Sequence, residues 1–336
     1  MFTSLDKLRK ERSMKCSGLL LNEDDIPVIR EKDYIVDNRP LDGDAPKQFI
    51  RLYTYHPDSG IHRRNTKTWI PYIAKTAEKW YPHESVIEYM INCIGVQLGL
   101  EMNEVALYKI NGQIRFLSRF FLKNNEALVH GAEISGEYLE DMTFAEEIAN
   151  DRATSRELFT FQFIEKAMAA KFGSHCNNLI RELVKMITFD AIAGNNDRHF
   201  YNWGVITNIK KISEVPRFAP FYDSARGFLW NRRDDFMVNN LRAMNSGGKK
   251  IEHYIENACP RISIDGNSEI NHFGLISYLK NYKDEFRVII ADMASVDNEK
   301  KVIEMLRKNF FGFFISERCE LIEYIVQQRF KKVRGI

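Results

Sequence analysis

The chain has 336 residues, 44% hydrophobic and 28% charged, with 48 Lys and Arg against 46 Asp and Glu. This composition excludes extensive disorder and supplies core for one large two-lobed unit or two modest domains. The balanced charge gives no drive toward nucleic acid or a membrane surface.

Five scattered cysteines with no C-x-x-C pair fit a reducing compartment, and the eight dispersed histidines argue against a structural zinc site. The first residues, MFTSLDKLRKERSMKCSGLLL, hold no apolar run of signal-peptide length. Nor does any stretch reach the roughly 18 apolar residues of a membrane span. The expected location is cytoplasmic, with export by a route that uses no Sec signal left open.

In chain order, QFIRLYTY (48–55) and TWIPYIAK (68–75) read as strands, and HPDSGIHRRNTK (56–67) between them reads as a loop. ESVIEYMINCIGVQLGL (84–100) places Val86, Ile87, Met90, Ile91, Ile94 and Leu98 on one helical face, with Gly99 as a stop. Strand-like EVALYKI (104–110) and QIRFLSRFFL (113–122) join across Asn111-Gly112, a strong hairpin signal. Beyond residue 128 the pattern turns helical. ELFTFQFIEKAMAAKF (157–172) and NLIRELVKMITFDAIA (178–193) are both amphipathic, the second with a stripe of Ile180, Leu183, Val184, Ile187 and Ala191. The polar stretch GNNDRHFYNWGVI (194–206) closes that helix and turns strand-like at WGVI. A second strand-like run, RFAPFYD (217–223), comes next, and 273–330 is helical again. This order predicts an α+β, bilobal, protein-kinase-like fold. Residues 1–122 would form a small sheet-rich N-lobe and 123–336 a larger, mainly helical C-lobe.

Phosphoryl transfer needs a cation on the phosphates, metal ligands, and a group that orients the attacking hydroxyl. Asp197 and Asn202 have the D-x-x-x-x-N spacing at which a loop can aim an Asp at substrate and an Asn at Mg²⁺. Asp223, at the end of the last predicted strand, is the expected main Mg²⁺ ligand, because a hard cation prefers carboxylate oxygens. Lys75 ends a strand where its ammonium can reach the α- and β-phosphates, and Glu88 in the next helix can fix it. Singly these residues are weak signals; their order along compatible elements is the strong one.

GNNDRHFYNWGVI, RFAPFYDSARG and ESVIEYMINCIGVQLGL together resemble the HipA-type serine/threonine kinases, with landmarks over roughly residues 41–230. The resemblance implies ATP and Mg²⁺ as cofactors. It makes Asp197 the catalytic base, Asn202 and Asp223 the metal ligands, and Lys75 the phosphate-binding lysine with Glu88 its partner. His199 falls in the same catalytic loop, as a brace for it more than as a proton carrier. LDGDAPKQF (41–49) sits at the family's phosphate loop, where Gly43 and Lys47 fit although Asp42, Asp44 and Pro46 do not help. The competing loop is 56–67, with Ser59 and Gly60. FLSRFFLK (116–123) would be the interlobe hinge, with backbone groups near Ser118 and Phe120 bonding adenine. The chain lacks both a serine just before the phosphate loop and the length for the family's extra N-terminal subdomain, so it resembles a short member.

The expected partner is a protein substrate bearing Ser or Thr, with a HipB-type antitoxin a second candidate. Arg232-Arg233, Lys249-Lys250 and Lys331-Lys332 are short, unlinked clusters, read as solvated surface rather than a nucleic-acid stripe. Two alternatives stand beside the protein kinase: a phosphoinositide-type or small-molecule kinase, since D-R-H-x-x-N is shared with lipid kinases, and a catalytically dead nucleotide-binding fold. The absence of a basic amphipathic helix or anchor weighs against a lipid substrate.

Overall fold

The structure, a computed structural model, describes residues 21–37, 47–54, 60–77, 83–211 and 214–336. Strands β1 (Val28–Ile29), β2 (Tyr34–Asp37), β3 (Lys47–Leu52), β4 (Ile70–Thr76), β5 (Val105–Ile110) and β6 (Gln113–Arg119) form one sheet in the order β1-β5-β6-β4-β3-β2. All neighbours are antiparallel except β1 on β5. The β5–β6 turn has Asn111 at φ 51° and Gly112 at φ 65°, the two left-handed residues that a tight hairpin matching strand twist requires.

Side-chain alternation gives the sheet two faces. Ile50, Leu52, Tyr72, Ala74, Ile110 and Leu117 pack together on one of them. The other receives helix α1 (Glu84–Gln97), whose predicted apolar residues Val86, Ile87, Met90, Ile91 and Ile94 are all fully buried. The helix ends at Leu98, with Gly99 left-handed at φ 73°, in agreement with its sequence.

The rest of the chain is mainly helical, and the α+β expectation holds. A three-stranded sheet of β7 (Glu126–His130), β8 (Gly204–Asn208) and β9 (Arg217–Phe218) flanks helices α2 (Gly131–Leu139), α3 (Met142–Asn150), α4 (Arg152–Leu158), α5 (Phe161–Phe172) and α6 (Cys176–Ala193). Beyond them lie helices α7 (Asp234–Asn245), α8 (Lys250–Glu256), α9 (His272–Tyr282), α10 (Asp284–Met293), α11 (Val296–Asn309) and α12 (Ser316–Gly335).

Two predicted elements differ. The single helix over 157–172 is divided into α4 and α5. Thr160 caps α5 by accepting from the Phe163 N–H, and Phe159 leaves helical geometry. The strand over 217–223 shrinks to Arg217–Phe218, because Pro220 cannot donate to a ladder. Among the described residues no helix is long and apolar enough to cross a membrane, and Cys93, Cys176, Cys259 and Cys319 carry free thiols.

Candidate active site

Register decides which side chains share the helix-facing side of the sheet. Lys47 lies directly opposite Lys75, Phe49 opposite Ile73, and Arg51 opposite Pro71. Lys75 Nζ donates to Glu88 Oε1 at 2.9 Å and to Asp223 Oδ1 at 2.6 Å, so residues 148 positions apart meet at one ammonium. Burial works to lower the Lys75 pKa, but the Asp223 and Glu88 carboxylates outweigh it and hold the ammonium above its ordinary range. For Glu88, burial dominates and pushes the carboxyl up to about 7 against the pull of Lys75. Burial also acts to raise Asp223, yet Lys75, with help from Lys47 and His199, keeps it below the usual carboxylate range. Asp223 is not at a strand end as predicted. It sits in irregular chain at φ 54°, a left-handed conformation that costs a non-glycine residue energy and recurs at functional positions.

The loop after α6 starts at Gly194, left-handed at φ 69°, whose N–H bonds back to Asp190 O. Asp190 is buried in the last turn of α6 and organises the loop beyond it. Its carboxylate accepts from Asn195 Nδ2 at 2.9 Å and from Arg198 Nε and Nη2 at 3.0 and 2.9 Å. Arg198, 3% exposed, also donates to the backbone carbonyls of Asn202 and Tyr222 and to Ser224 Oγ. One guanidinium therefore locks the loop to the segment that carries Asp223. Asn202 donates its Nδ2 to Asp197 O at 2.9 Å, so its amide oxygen is the end of the side chain that could face a cation.

His199 Nδ1 accepts from the Tyr201 N–H at 3.3 Å, and burial lowers the ring's pKa against the pull of Asp197 and Asp223. A neutral, bonded ring suits a brace. Among the described residues it makes no hydrogen bond to the Asp197 carboxylate. That carboxylate instead meets two arginines that the sequence does not single out: Arg261 Nη2 at 3.0 Å on Oδ1 and Arg226 Nε at 3.1 Å on Oδ2.

The two residues expected near adenine lie at the end of β6 and just beyond it. Ser118 lies inside β6, paired with Ile73 and Val105, and its Oγ accepts from Asn103 Nδ2. The Phe120 N–H is already bonded to Pro71 O at 3.0 Å. The Phe120 carbonyl, like the backbone of Phe121 and Leu122, makes no backbone–backbone hydrogen bond outside helices and strands among the described residues. The Phe120 ring meets Phe49 edge-on at 5.6 Å. Asn103, also missed from sequence, bonds Ser118 and Arg119 O and accepts from Asn92 of α1 at its own carbonyl, clipping β6 to the helix. Lys47 belongs to β3 rather than to a loop; Gly43 and Ser59 lie outside the described residues.

The donors present suit a hard divalent cation: the Asp223 carboxylate and the Asn202 amide oxygen. Among the described residues no group of three or more His, Cys, Asp or Glu could cage a metal. Mg²⁺ takes hard oxygen donors of this kind, one or two from the protein, and completes its shell with phosphate and water.

Residues 40–300 match the family model described as HipA-like C-terminal domain. No curated protein matches the chain. Among solved structures it is similar to the Helicobacter pylori proinflammatory kinase CtkA, with TM-score 0.70 and 16% identity over 92% of this chain and 96% of that one, a likeness of fold. A weaker likeness, TM-score 0.44 and 11% identity over 79% of this chain and 58% of the other, is to a Shewanella oneidensis MR-1 toxin–antitoxin complex of HipA, HipB and operator DNA. With its family model matched over most of its length, the chain belongs to the HipA-like C-terminal domain family.

Proposed function

We propose that the chain is an ATP- and Mg²⁺-dependent protein kinase acting on Ser or Thr hydroxyls. The observation that carries this is the convergence of Lys75, Glu88 and Asp223 on one face of the sheet, joined through Arg198 to the loop of Asp197 and Asn202. In the free chain Asp223 pairs with Lys75. With a nucleotide in the cleft, Asp223 and the Asn202 amide oxygen would hold Mg²⁺. Lys75, kept in place by Glu88, would turn to the α- and β-phosphate oxygens, and Lys47 opposite it would add a second positive charge. The bound metal supplies neutralisation of the charge that develops on the transferring group. Phe49, Ile73 and the Phe120 ring would wall the adenine, with the backbone of Phe121 and Leu122 at its edge.

Asp197 would accept the hydrogen bond of the acceptor hydroxyl and orient its oxygen in line with the γ-phosphorus. A new O–P bond forms as the bond to the β,γ-bridging oxygen breaks, and the proton passes to Asp197. Most of the rate enhancement in such chemistry comes from positioning and electrostatics, which this fixed polar network supplies.

The test is incubation with γ-labelled ATP and Mg²⁺, offering a generic protein acceptor and phosphoinositide vesicles in separate arms. The proposal predicts label on Ser or Thr of the chain itself or of the protein acceptor, abolished by EDTA. Preferential labelling of the lipid would make it a lipid kinase, and no label in any arm would leave a nucleotide-binding fold without transfer activity.

A further inference from the structure

Asp197 has to face the incoming hydroxyl, yet both of its carboxylate oxygens meet guanidinium groups. Neither group belongs to its own loop. Arg226 lies just after Asp223 in sequence; its side chain is 40% exposed and stacks 5.3 Å from the centre of the Trp230 ring. Arg261 comes from the turn between α8 and α9, a segment held in place by Arg156, which donates to the carbonyls of Pro260, Ser268 and Ile270. A third guanidinium, Arg152, donates to the carbonyls of Asn196 and Cys259 on the same rim and has no ion pair among the described residues. A second carboxylate, Asp151, caps α4 through Thr154 and also feels the charge of Arg261. The Arg261 Nε–H is buried with no acceptor among the described residues, an arrangement that native proteins seldom keep without a reason.

Arg226 and Arg261 on Asp197, with Arg152 close by, outnumber the Asp197 and Asp151 carboxylates and leave surplus positive charge where the acceptor must arrive. Planar guanidinium groups bind carboxylate and phosphate in the same geometry, so a second anion can take over the contacts now made to Asp197. Given the kinase assignment proposed for this cleft, we infer that the arginine cluster is an anion subsite on the acceptor side. The acceptor Ser or Thr has a neighbour carrying a carboxylate or a phosphate, and that neighbour draws Arg226 and Arg261 off Asp197 as it binds. Docking of a neutral or basic neighbour leaves Asp197 masked. The cluster thereby selects substrate by charge and couples selection to release of the base.

Three peptides that differ only in the residue beside a central Ser (Asp, phosphoserine or Lys) test this in two ways. In Mg²⁺-ATP-dependent phosphorylation, wild type should use the Asp or phosphoserine peptide at least about tenfold better in kcat/KM than the Lys peptide. Arg226→Gln and Arg261→Gln should each bring that ratio to within about twofold. Which anionic peptide is preferred tells carboxylate from phosphate. In equilibrium binding without turnover, Asp197→Asn removes the competing charge and should bind the anionic peptides about tenfold tighter than wild type, an advantage lost on adding Arg261→Gln. The inference is overturned by equal use of the Lys peptide, by selectivity that survives both arginine changes, or by no gain in Asp197→Asn. It is equally overturned if the arginine variants lose affinity for ATP while keeping selectivity, which would assign the cluster to the γ-phosphate. Absence of any transfer from ATP would instead refute the kinase assignment, while the binding arm still reads the subsite.

Discussion

Arg198 illustrates how much of this site depends on a single side chain. Its guanidinium is buried against Asp190 and bonds both the loop of Asp197 and the segment of Asp223. Arg198→Ala would strand the Asp190 carboxylate in the interior, and a loss of about 3–5 kcal/mol is expected in denaturant unfolding, since breaking a buried pair costs far more than never having it. Glu88 makes the second residue-scale prediction. Its carboxyl is raised by burial to about 7, so the folded chain takes up a proton more readily than the unfolded one. The stability this gives is fully present below the ordinary carboxylate range and is lost as pH rises through about 7. Nucleotide affinity should run the other way, rising through the same window as ionised Glu88 secures Lys75, and Glu88→Gln should flatten both profiles. The structure brings Lys75, Glu88 and Asp223 together and bonds Asn202 to Asp197; these five residues were singled out by their spacing along successive elements. Asp190, Asn103, Arg226 and Arg261 were not. Arg261 reaches Asp197 across 64 residues, which no local pattern encodes, whereas Asp190 bonds side chains only five and eight positions on and carries no motif of its own.

At the scale of elements, local chemistry was readable where one or two residues dictate the backbone. The Asn111-Gly112 hairpin and the Gly99 stop are of this kind. Helix α6 shows the opposite case: its sequence predicts one buried stripe, but from Met186 to Ala193 it is buried on every side, because other helices close around it. That packing holds Asp190 and delivers the chain to Gly194. A Cβ at Gly194 would both occupy a left-handed backbone and stand 3.2 Å from the Arg329 guanidinium. Gly194→Ala should therefore lower stability by about 1–2 kcal/mol and weaken nucleotide binding as well, whereas Gly112→Ala, with a similar backbone cost of about 1–2 kcal/mol, should leave binding unchanged. Calorimetry on the two variants, with and without Mg²⁺-ATP, separates the effects.

For the molecule as a whole, one buried cluster runs from Val86 in α1 to Val333 in α12. The final helix is part of that core and of the support behind the site. Arg329, fully buried, donates to Ala191 O at 2.7 Å and to Ile255 O at 2.9 Å, so it steadies the last turn of α6 from behind. Burial brings its pKa down to about 10, the mark of a cation resting on carbonyls without a carboxylate partner. Removing α12 should abolish nucleotide binding and the cooperative unfolding transition together, measurable by circular dichroism and thermal shift.

The central claim is that this cleft transfers the γ-phosphoryl group through Asp197 with the metal held by Asp223. Single-turnover transfer from labelled ATP at saturating Mg²⁺, compared among wild type, Asp197→Ala and Asp223→Ala, tests it most directly. Both variants should transfer at least about 10³-fold more slowly, with Asp197→Ala still binding ATP and Asp223→Ala losing the metal-dependent part of its affinity. Transfer at the wild-type rate by either folded variant would contradict the account.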